Sequence, residues 1–189
     1  MEATINVRET SIEGLVVITP RVFGDDRGFF LESFNQARYD NLIGEHTFVQ
    51  DNHSRSTKGV LRGLHYQETN PQGKLVRCTS GMVFDVAVDL REGSLTFGEW
   101  EGVVLSEQNK TQFWIPPGFA HGFVVISDVA DFEYKCTEYY DPNSERSLLW
   151  NDPDVAVDWG FDLIFGDENY QPILSQKDRE AKTLREIFG

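Results

Sequence analysis

The sequence predicts an all-β fold, built as a sandwich or barrel of short strands. Runs of β-branched and aromatic residues recur along most of the chain, and Gly, Pro, Asn and Asp separate them. Only two segments have the apolar spacing of a helix. The length of 189 residues is typical of one domain, so we expect a single domain over residues 1–189 with a few short peripheral helices.

The predicted strands follow one another at short intervals. Ten of them exceed what a small barrel needs, so we expect the N-terminal strands to join a second sheet or to cross to a partner subunit. The predicted strands are 15–18, 29–34, 47–50, 60–66, 74–78, 82–89, 97–104, 112–115, 122–126 and 131–139.

Two helices are predicted from their end signals. Residues 36–43 follow Asn35, a good N-cap residue, and end at Gly44, which suits the position after a helix. Residues 176–188 follow Ser175 and have an acidic first turn, which predicts a C-terminal helix. The segment 142–172 has several turn signals, and we expect it to wrap the surface of the β core.

The net charge of −14 argues against nucleic acid or an anionic membrane surface as a partner, since both would repel the chain. The sequence contains no run of about 18 apolar residues, so no membrane-spanning helix is expected. The first residues do not have the charged start, apolar stretch and cleavage site of a secretory signal. The two cysteines, Cys78 and Cys136, cannot form a disulfide framework and are expected to be small core residues. These features favour a cytoplasmic protein.

Basic residues concentrate in one part of this acidic chain. Between positions 55 and 77 five basic residues face one acid, Glu68, which favours a pocket for a small anion. The alternative is that these residues are solvated charges on edge strands, and we favour this alternative for Arg55 and Lys58. The five are Arg55, Lys58, Arg62, Lys74 and Arg77.

The segment GVLRGLHYQETNPQGK, residues 59–74, carries the strongest candidate site. A turn between two predicted strands would place His65 and Lys74 across a hairpin from each other. Gly63 indicates a bulge in the first strand, which would bring Arg62 and His65 to the same side. A lone histidine is more often structural, but the nearby cations favour a functional one.

Three further candidates lie on later strands. In residues 82–89 strict alternation places Asp85 and Asp89 on one face; a pocket wall and a solvent face are equally expected for Asp85, and solvent for Asp89. The loop IPPGFAHGF delivers His121 at the start of a strand. Tyr134 is either core packing or a phenol directed into the pocket, and both predict a polar contact for its hydroxyl.

A metal site is not expected. Gln67 stands two positions after His65, where a second histidine would give a pair of ligands on one strand. The other histidines are His46, His53 and His121, so a three-histidine site would have to combine distant loops. We therefore predict neither a metal nor another cofactor.

Seven motifs are distributed along almost the whole chain: DDRGFF (25–30), FVQDNHS (48–54), VLRGLHYQ (60–67), QGKLVR, DVAVDLR, IPPGFAHGF and LSQKD (174–178). In these motifs the chain resembles the dTDP-4-dehydrorhamnose 3,5-epimerases. That resemblance implies a metal-free jelly-roll barrel of the cupin type, usually a homodimer in which N-terminal strands cross to the neighbour. It implies dTDP-4-dehydro-6-deoxy-glucose as substrate and a product used in dTDP-rhamnose synthesis.

The resemblance also implies a role for each motif residue. His65 would be the base, Asp178 would orient it, Lys74 would stabilise the enolate and Tyr134 would donate the proton. Retention of Tyr134 favours epimerisation at two carbons over one. The remaining implied substrate-binding residues are Arg27, Glu32, Gln50, Asn52, Arg62, Asp85, His121 and Tyr140.

The chemistry is consistent with these residue types. A ketone at C4 acidifies the hydrogens at C3 and C5, so a base can remove one if a cation meets the enolate oxygen. Inversion then needs an acid on the opposite face. Alternatives are a single-site epimerase of a related dTDP-4-keto-deoxysugar, a non-catalytic sugar-nucleotide-binding protein on the same barrel, and a metal-dependent cupin enzyme.

Overall fold

The computed structural model describes residues 5–189, and these form two antiparallel sheets packed face to face. The six-stranded sheet has the order β1-β2-β10-β7-β12-β5, and the five-stranded sheet has the order β13-β6-β11-β8-β9. A separate hairpin, β3-β4, stands beside them. The predicted all-β fold class is therefore confirmed, with short helices at the periphery.

The strands are β1 Asn6–Glu9, β2 Val16–Thr19, β3 Val22–Asp25, β4 Gly28–Leu31, β5 Gln50–Thr57, β6 Leu61–Gln67, β7 Lys74–Ser80, β8 Met82–Asp89, β9 Trp100–Ser106, β10 Gln112–Ile115, β11 Phe119–Val125, β12 Val129–Cys136 and β13 Glu145–Ser147. The helices are α1 Gln36–Ile43, α2 Phe161–Phe165, α3 Gln176–Arg179 and α4 Leu184–Phe188.

The main core lies between the two sheets. It contains inward side chains of the six-stranded sheet, such as Val76 and Phe132, and of the five-stranded sheet, such as Val83 and Phe123. The rings of Phe123 and Phe132 stack with centroids 4.2 Å apart. Burying an aromatic or aliphatic side chain of this size stabilises the fold by roughly 1.5–3 kcal/mol.

The five-stranded sheet is covered on its outer face too. All seven residues of β11 are buried, and Val86 and Val88 of β8 pack against Trp159 and Phe161. The prediction that residues 142–172 wrap the β core is confirmed, although this segment also contains β13 and α2. A sheet buried on both sides gives its inward polar groups little access to water.

Helix α1 covers the outer face of the six-stranded sheet, and its predicted boundaries are confirmed. The Asn35 side chain accepts a hydrogen bond from the Arg38 amide, and the Gly44 amide donates to the Asp40 carbonyl. Gly44 has φ +86°, a conformation that favours glycine. Tyr39 of this helix is buried, and its hydroxyl donates to Gln112 at 2.7 Å.

The predicted bulge in β6 is confirmed. Register changes from His121 opposite His65 to Phe123 opposite Arg62, so three residues of β6 span two of β11. Gly63 has φ +126°, and a Cβ there would lie 2.5 Å from the Gly122 Cα, so only glycine fits. The bulge lets Arg62 and His65, three positions apart, approach the same side of the strand.

Four sequence expectations are wrong. His65 and Lys74 do not face each other across a hairpin, because β6 and β7 belong to different sheets. The strand expected at 47–50 instead begins at Gln50 and continues to Thr57. The C-terminal helix expected at 176–188 is two short helices, because Thr183 caps a new one. Asp89 is buried rather than solvated.

The burial of Asp89 has a clear cause. Its carboxylate accepts hydrogen bonds from Arg91, Ser94 and Thr96 in the loop that follows β8. Burial opposes the ionised form, but these bonds outweigh it and lower the pKa of Asp89. A charge that forms an ion pair and further hydrogen bonds can be buried at low cost.

No helix among residues 5–189 combines the length and the apolar composition needed to cross a membrane.

Candidate active site

Functional candidates from both sheets meet in the space between them. Each lies on a different strand, and the alternation of side chains directs each one inward. These groups are close enough for the charge of one to shift the pKa of another: Lys74 shifts the pKa of His121 and of Asp85, and His65 shifts the pKa of His121. The candidates are His65 on β6, Lys74 on β7, Asp85 on β8, His121 on β11 and Tyr134 on β12.

His65 pairs with Asp178 of helix α3. The distance from His65 Nε2 to Asp178 Oδ1 is 2.6 Å. The Ser175 side chain caps α3 by accepting from the Asp178 amide at 3.2 Å, which fixes where the carboxylate lies. Burial raises the pKa of Asp178, but the hydrogen bonds to His65 and Ser175 and the charges of His65 and Lys177 together outweigh it and leave this pKa below its ordinary value. Asp178 is therefore ionised at neutral pH.

A second histidine–aspartate pair lies deeper. His121 Nε2 is 2.8 Å from Asp85 Oδ2, and both side chains are almost fully buried. Burial raises the pKa of Asp85 and lowers the pKa of His121. The other carboxylate oxygen, Asp85 Oδ1, is buried and has no hydrogen-bond partner among residues 5–189.

Lys74 and Tyr134 are neighbours in the pocket. The Lys74 Nζ lies 5.9 Å from the centroid of the Tyr134 ring. Burial lowers the pKa of Lys74, whereas the carboxyl groups of Asp85 and Glu145 act in the opposite direction where they are ionised. Burial also raises the pKa of Tyr134, so the phenol retains its proton at neutral pH. The buried Cys136 thiol has its pKa raised to about 11 and is therefore a neutral neighbour.

Three predicted binding residues line the pocket near Tyr134. Arg62 donates from Nε to Ser56 Oγ at 2.9 Å, and its charge acts on Tyr134. Gln50 Nε2 donates to Asn52 Oδ1 at 3.0 Å, and Asn52 lowers the pKa of Tyr134 against the effect of burial. The alternation of β5 thus directs Gln50 and Asn52 to the same side as the phenol.

Tyr140 lies on the loop after β12, and its hydroxyl donates to Glu145 Oε2 at 3.0 Å. Glu145 Oε1 also pairs with Lys177 at 2.9 Å. Burial raises the pKa of Glu145, but these partners outweigh it and lower this pKa. Sequence reasoning missed Glu145 and Lys177. Lys177 had a signal, since it precedes Asp178 in LSQKD; Glu145 lay in a segment expected to be irregular.

Arg27 and Glu32 are not brought to this pocket. Arg27 is 90% exposed at the tip of the β3-β4 hairpin, where it pairs with Asp25. Glu32 follows β4 and pairs with Arg38 at 2.7 Å. The hairpin also exposes Phe29 and Phe30, which are 61% and 69% accessible. Within this chain Arg27 lies on an exposed hairpin, and Glu32 lies in the segment that joins this hairpin to α1.

A separate cavity of about 530 Å³ lies on the outer face of the six-stranded sheet, next to Phe34. Its charged side chains include His53, Arg77, Glu133 and Lys135, which alternate with the inward residues of the same strands. Arg77 and Glu133 are already paired at 2.7 Å. It is therefore a different feature from the pocket between the sheets.

Within residues 5–189, no three His, Cys, Asp or Glu side chains are grouped in a way that could hold a metal ion.

Comparisons with known proteins agree with this architecture. A family model described as dTDP-4-dehydrorhamnose 3,5-epimerase matches residues 9–186. The Escherichia coli K12 enzyme of that name is 55% identical over 186 residues, which are 97% of each chain. A Legionella pneumophila dTDP-6-deoxy-D-glucose-3,5-epimerase, solved with dTDP-4-keto-L-rhamnose, is 56% identical with a TM-score of 0.91, covering 97% of this chain and 95% of its own.

A more distant solved structure is a 3'-monoepimerase of Streptomyces bikiniensis in complex with dTDP-quinovose. It is 35% identical, with a TM-score of 0.84, and the match covers 93% of this chain and 86% of that one. The fold and these matches define an isomerase with a cupin-type jelly roll. The chain belongs to the dTDP-4-dehydrorhamnose 3,5-epimerase family. The resemblance stated from the motifs is confirmed.

Proposed function

We propose that the protein converts dTDP-4-dehydro-6-deoxy-D-glucose to dTDP-4-dehydro-L-rhamnose by epimerisation at C3 and C5. The observation that carries this proposal is the convergence of the His65–Asp178 pair, Lys74 and Tyr134 in one pocket. Substrate and product are isomers, so the reaction consumes no reductant or oxidant. The proposal therefore includes no cofactor.

His65 is proposed as the base. In the neutral imidazole, Nε2–H donates to the ionised Asp178 carboxylate, and Nδ1 keeps its lone pair. Asp178 then stabilises the imidazolium that forms when His65 takes the proton from C3 or C5. Lowering of the Asp178 pKa supports this role, because a protonated carboxyl could not stabilise that cation.

Lys74 is proposed to stabilise the enolate. Removal of the proton moves negative charge onto the C4 oxygen, and a preorganised ammonium group in a dry site lowers the barrier to that step. The nearby carboxylate of Glu145, whose own pKa is lowered, favours the charged form of Lys74 against burial. Lys74 is on the six-stranded sheet, so the ketone would be contacted from the side opposite to His65.

Tyr134 is proposed as the acid that returns the proton. It lies on the six-stranded sheet while His65 lies on the five-stranded sheet, so the two groups approach a bound sugar from different faces. Inversion requires this, because abstraction and reprotonation must occur on opposite sides of the carbon. The raised pKa of Tyr134 supports a phenol that is protonated when the enolate forms.

The polar residues around this centre are proposed to hold the rest of the substrate. Those in this chain's own pocket are Gln50, Asn52, Arg62, Asp85, His121 and Tyr140. Arg27 and Glu32 would act in the pocket of a second subunit, because the β3-β4 hairpin projects from its own sandwich and exposes aromatic rings. The proposal is thus a single-domain chain that forms a homodimer by exchanging this hairpin.

Subunit complementation tests that arrangement. Arg27→Ala and His65→Asn proteins would each be nearly inactive, but a mixture should regain activity because some hybrid sites contain both native residues. Light scattering on each protein controls for loss of the dimer. A monomer in solution, or a mixture as inactive as its parts, would contradict the exchange. We place the protein in the cytoplasm, since its two buried free thiols suit a reducing compartment.

Proton NMR in deuterium oxide tests the reaction itself. With dTDP-4-dehydro-6-deoxy-glucose, solvent deuterium should enter at both C3 and C5, and Tyr134→Phe should lose product formation more than it loses exchange. Labelling at C3 alone would indicate a single-site epimerase, the activity named for the Streptomyces relative. Binding of dTDP without exchange would indicate a non-catalytic protein. Activity lost with a chelator and restored by a metal would indicate metal-dependent chemistry.

A further inference from the structure

We infer that Gln67 is a positioning residue that fixes Tyr140 at the rim of the pocket. This inference rests on the proposed function only in taking Tyr140 as a substrate contact. Gln67 ends β6, two residues after His65, and only 6% of its surface is accessible. It is the position at which a second histidine would have suggested a metal, so its carboxamide needs another explanation.

The Gln67 carboxamide makes three of its four possible hydrogen bonds, all to main-chain groups, and two of these are to the residues on either side of Tyr140. Its Nε2 donates to the Asn70 carbonyl at 2.9 Å and to the Tyr139 carbonyl at 3.3 Å. Its Oε1 accepts from the Asp141 amide at 2.9 Å. Two N–H groups and one oxygen are thus matched to two carbonyls and one amide, and the residues held lie on both sides of Tyr140.

Tyr140 is fixed in the same way at its own backbone and side chain. Its amide donates to Gln50 Oε1 at 2.9 Å, and its hydroxyl donates to Glu145 Oε2 at 3.0 Å. Residues 139, 140 and 141 therefore each have one main-chain group bound to a glutamine side chain. Because the ring itself is half exposed, these bonds rather than packing determine where it lies.

The contact with Asp141 extends the effect of Gln67 to Glu145. The Asp141 carbonyl accepts from the amides of Ser144 at 3.1 Å and Glu145 at 3.0 Å. Glu145 in turn holds the Tyr140 hydroxyl and Lys177. Loss of the Gln67 bonds would remove the contacts that hold the carbonyls of Asn70 and Tyr139 and the amide of Asp141. Because these residues lie at the surface, their main-chain groups could bond to water instead, and the loop would be free to open.

The expected signature is a change in binding rather than in chemistry. Lys74 and Tyr134 are on the other sheet, and His65, although it shares β6 with Gln67, is held by its pairing with β11 and by Asp178. Tyr140, in contrast, is on the loop that the Gln67 bonds hold. A looser Tyr140 weakens ground state and transition state alike, which raises KM and leaves kcat almost unchanged. A residue with a purely structural role would instead lower the melting temperature without this selective change.

Gln67→Met tests the inference, because methionine fills a similar volume and makes none of the three bonds. We expect KM for the dTDP-sugar and Kd for dTDP to rise about tenfold, equivalent to about 1.4 kcal/mol, with kcat within about twofold. Hydrogen exchange measured by mass spectrometry should accelerate at residues 139–141. The matched control is Gln72→Met, since exposed Gln72 makes a single bond to the Glu138 carbonyl of the same loop, and it should leave all four quantities unchanged.

Gln67→Glu adds a second test, a pH dependence of KM that a purely structural role for Gln67 would not produce. The carboxylate still accepts from Asp141 but cannot donate to Asn70 or Tyr139, whereas the protonated acid can donate one bond. Burial raises the pKa of such a carboxyl. The KM of this variant relative to wild type should therefore fall as pH is lowered from 8 to 6, while the ratio for Gln67→Met stays constant.

The measurements separate this inference from the proposed function. If the wild-type protein fails to turn over the dTDP-sugar, the proposed function fails, and hydrogen exchange in the free protein still decides whether Gln67 holds residues 139–141. If the wild type is active but Gln67→Met leaves KM, dTDP affinity and exchange unaltered, the positioning role is wrong. An equal loss in kcat and stability, with KM unchanged, would also overturn it.

Discussion

The two histidine–aspartate pairs of this pocket have the same chemical groups and opposite environments. They are close together, since His65 on β6 is directly opposite His121 on β11. The His65 side chain is 24% accessible and its partner Asp178 comes from a short helix outside the sheets. The His121–Asp85 pair is on neighbouring strands of one sheet and almost inaccessible to water.

Burial raises the pKa of both carboxylates, but the net shift differs because their partners oppose burial to different extents. Asp178 has its pKa lowered, because hydrogen bonding to His65 and the Ser175 cap outweigh burial. Asp85 has its pKa raised, because burial outweighs the attraction of His121 and Lys74. The comparison teaches that a histidine next to an aspartate is not by itself a base. Only the pair that keeps an ionised carboxylate and an accessible imidazole suits proton abstraction.

The largest effect is expected at the histidines themselves. His65→Asn should lower the rate of deuterium incorporation by about 10³-fold, within the range for loss of a general base, while dTDP binding persists. His121→Asn, the matched change in the other pair, should retain measurable exchange and mainly raise KM. Deuterium exchange followed by NMR gives both rates. Exchange that survives His65→Asn and disappears in His121→Asn would assign the base to the other pair.

The next largest effect is expected from replacing Lys74, the buried cation close to the His121–Asp85 pair. Lys74→Met should lower kcat by about 10²–10³-fold, the cost of removing one group that stabilises an oxyanion. Because burial opposes the charge of Lys74, the variant should be as stable to heat as the wild type, or more so. Steady-state kinetics and thermal unfolding measure the two effects. A variant with native kcat would show that the enolate is stabilised elsewhere.

Replacing Asp178 should lower activity more than replacing Asp85, just as replacing His65 should lower it more than replacing His121. Asp178→Asn keeps a hydrogen bond to His65 but removes the charge that would stabilise its imidazolium, and we expect kcat to fall about 10²-fold because the protonated base is less stable. Asp85→Asn should cost less than tenfold, since the ionised form of Asp85 is already disfavoured. Parallel kinetics on the two variants check this order; equal losses would remove the distinction between the pairs.

Much of this arrangement was predictable from residue patterns. The alternation in β8 correctly predicted that Asp85 shares a face with Val83 and Ala87, and Gly63 predicted the bulge that brings Arg62 towards His65. The end signals Asn35 and Gly44 predicted α1. These are local features, in which a few neighbouring residues determine the backbone or the direction of a side chain.

Other features depend on contacts between distant residues and were not predictable. Strand β5 has the sequence QDNHSRST with no apolar alternation, because it is an edge strand whose outer face is in water. Separation of β6 and β7 into different sheets cannot be read from a turn signal. Glu145 belongs to the site because it contacts Tyr140 and Lys177, and the sequence does not show that these residues are its neighbours.

The smallest predicted effect is the pH dependence of stability, and it has opposite signs for the two pairs. The lowered pKa of Asp178 stabilises the fold above the ordinary carboxyl value near 4, and this contribution disappears as pH falls through the folded-state pKa. The raised pKa of Asp85 contributes stability below that ordinary value, and this contribution disappears as pH rises through its folded-state pKa.

Thermal unfolding of the asparagine variants between pH 2 and 8 measures this difference, because the Asp178 contribution changes only at acidic pH. Relative to wild type, Asp178→Asn should lose stability as pH rises and Asp85→Asn should gain it, by a few degrees, given about 2–4 °C per kcal/mol for a chain of this size. Asp128→Asn, a change at an exposed residue, should follow the wild-type curve. Two variants with the same slope would mean that burial does not separate the pairs. Opposite slopes would show that the fold favours the ionised form of Asp178 and disfavours the ionised form of Asp85, although the two carboxyl groups are partners of neighbouring histidines.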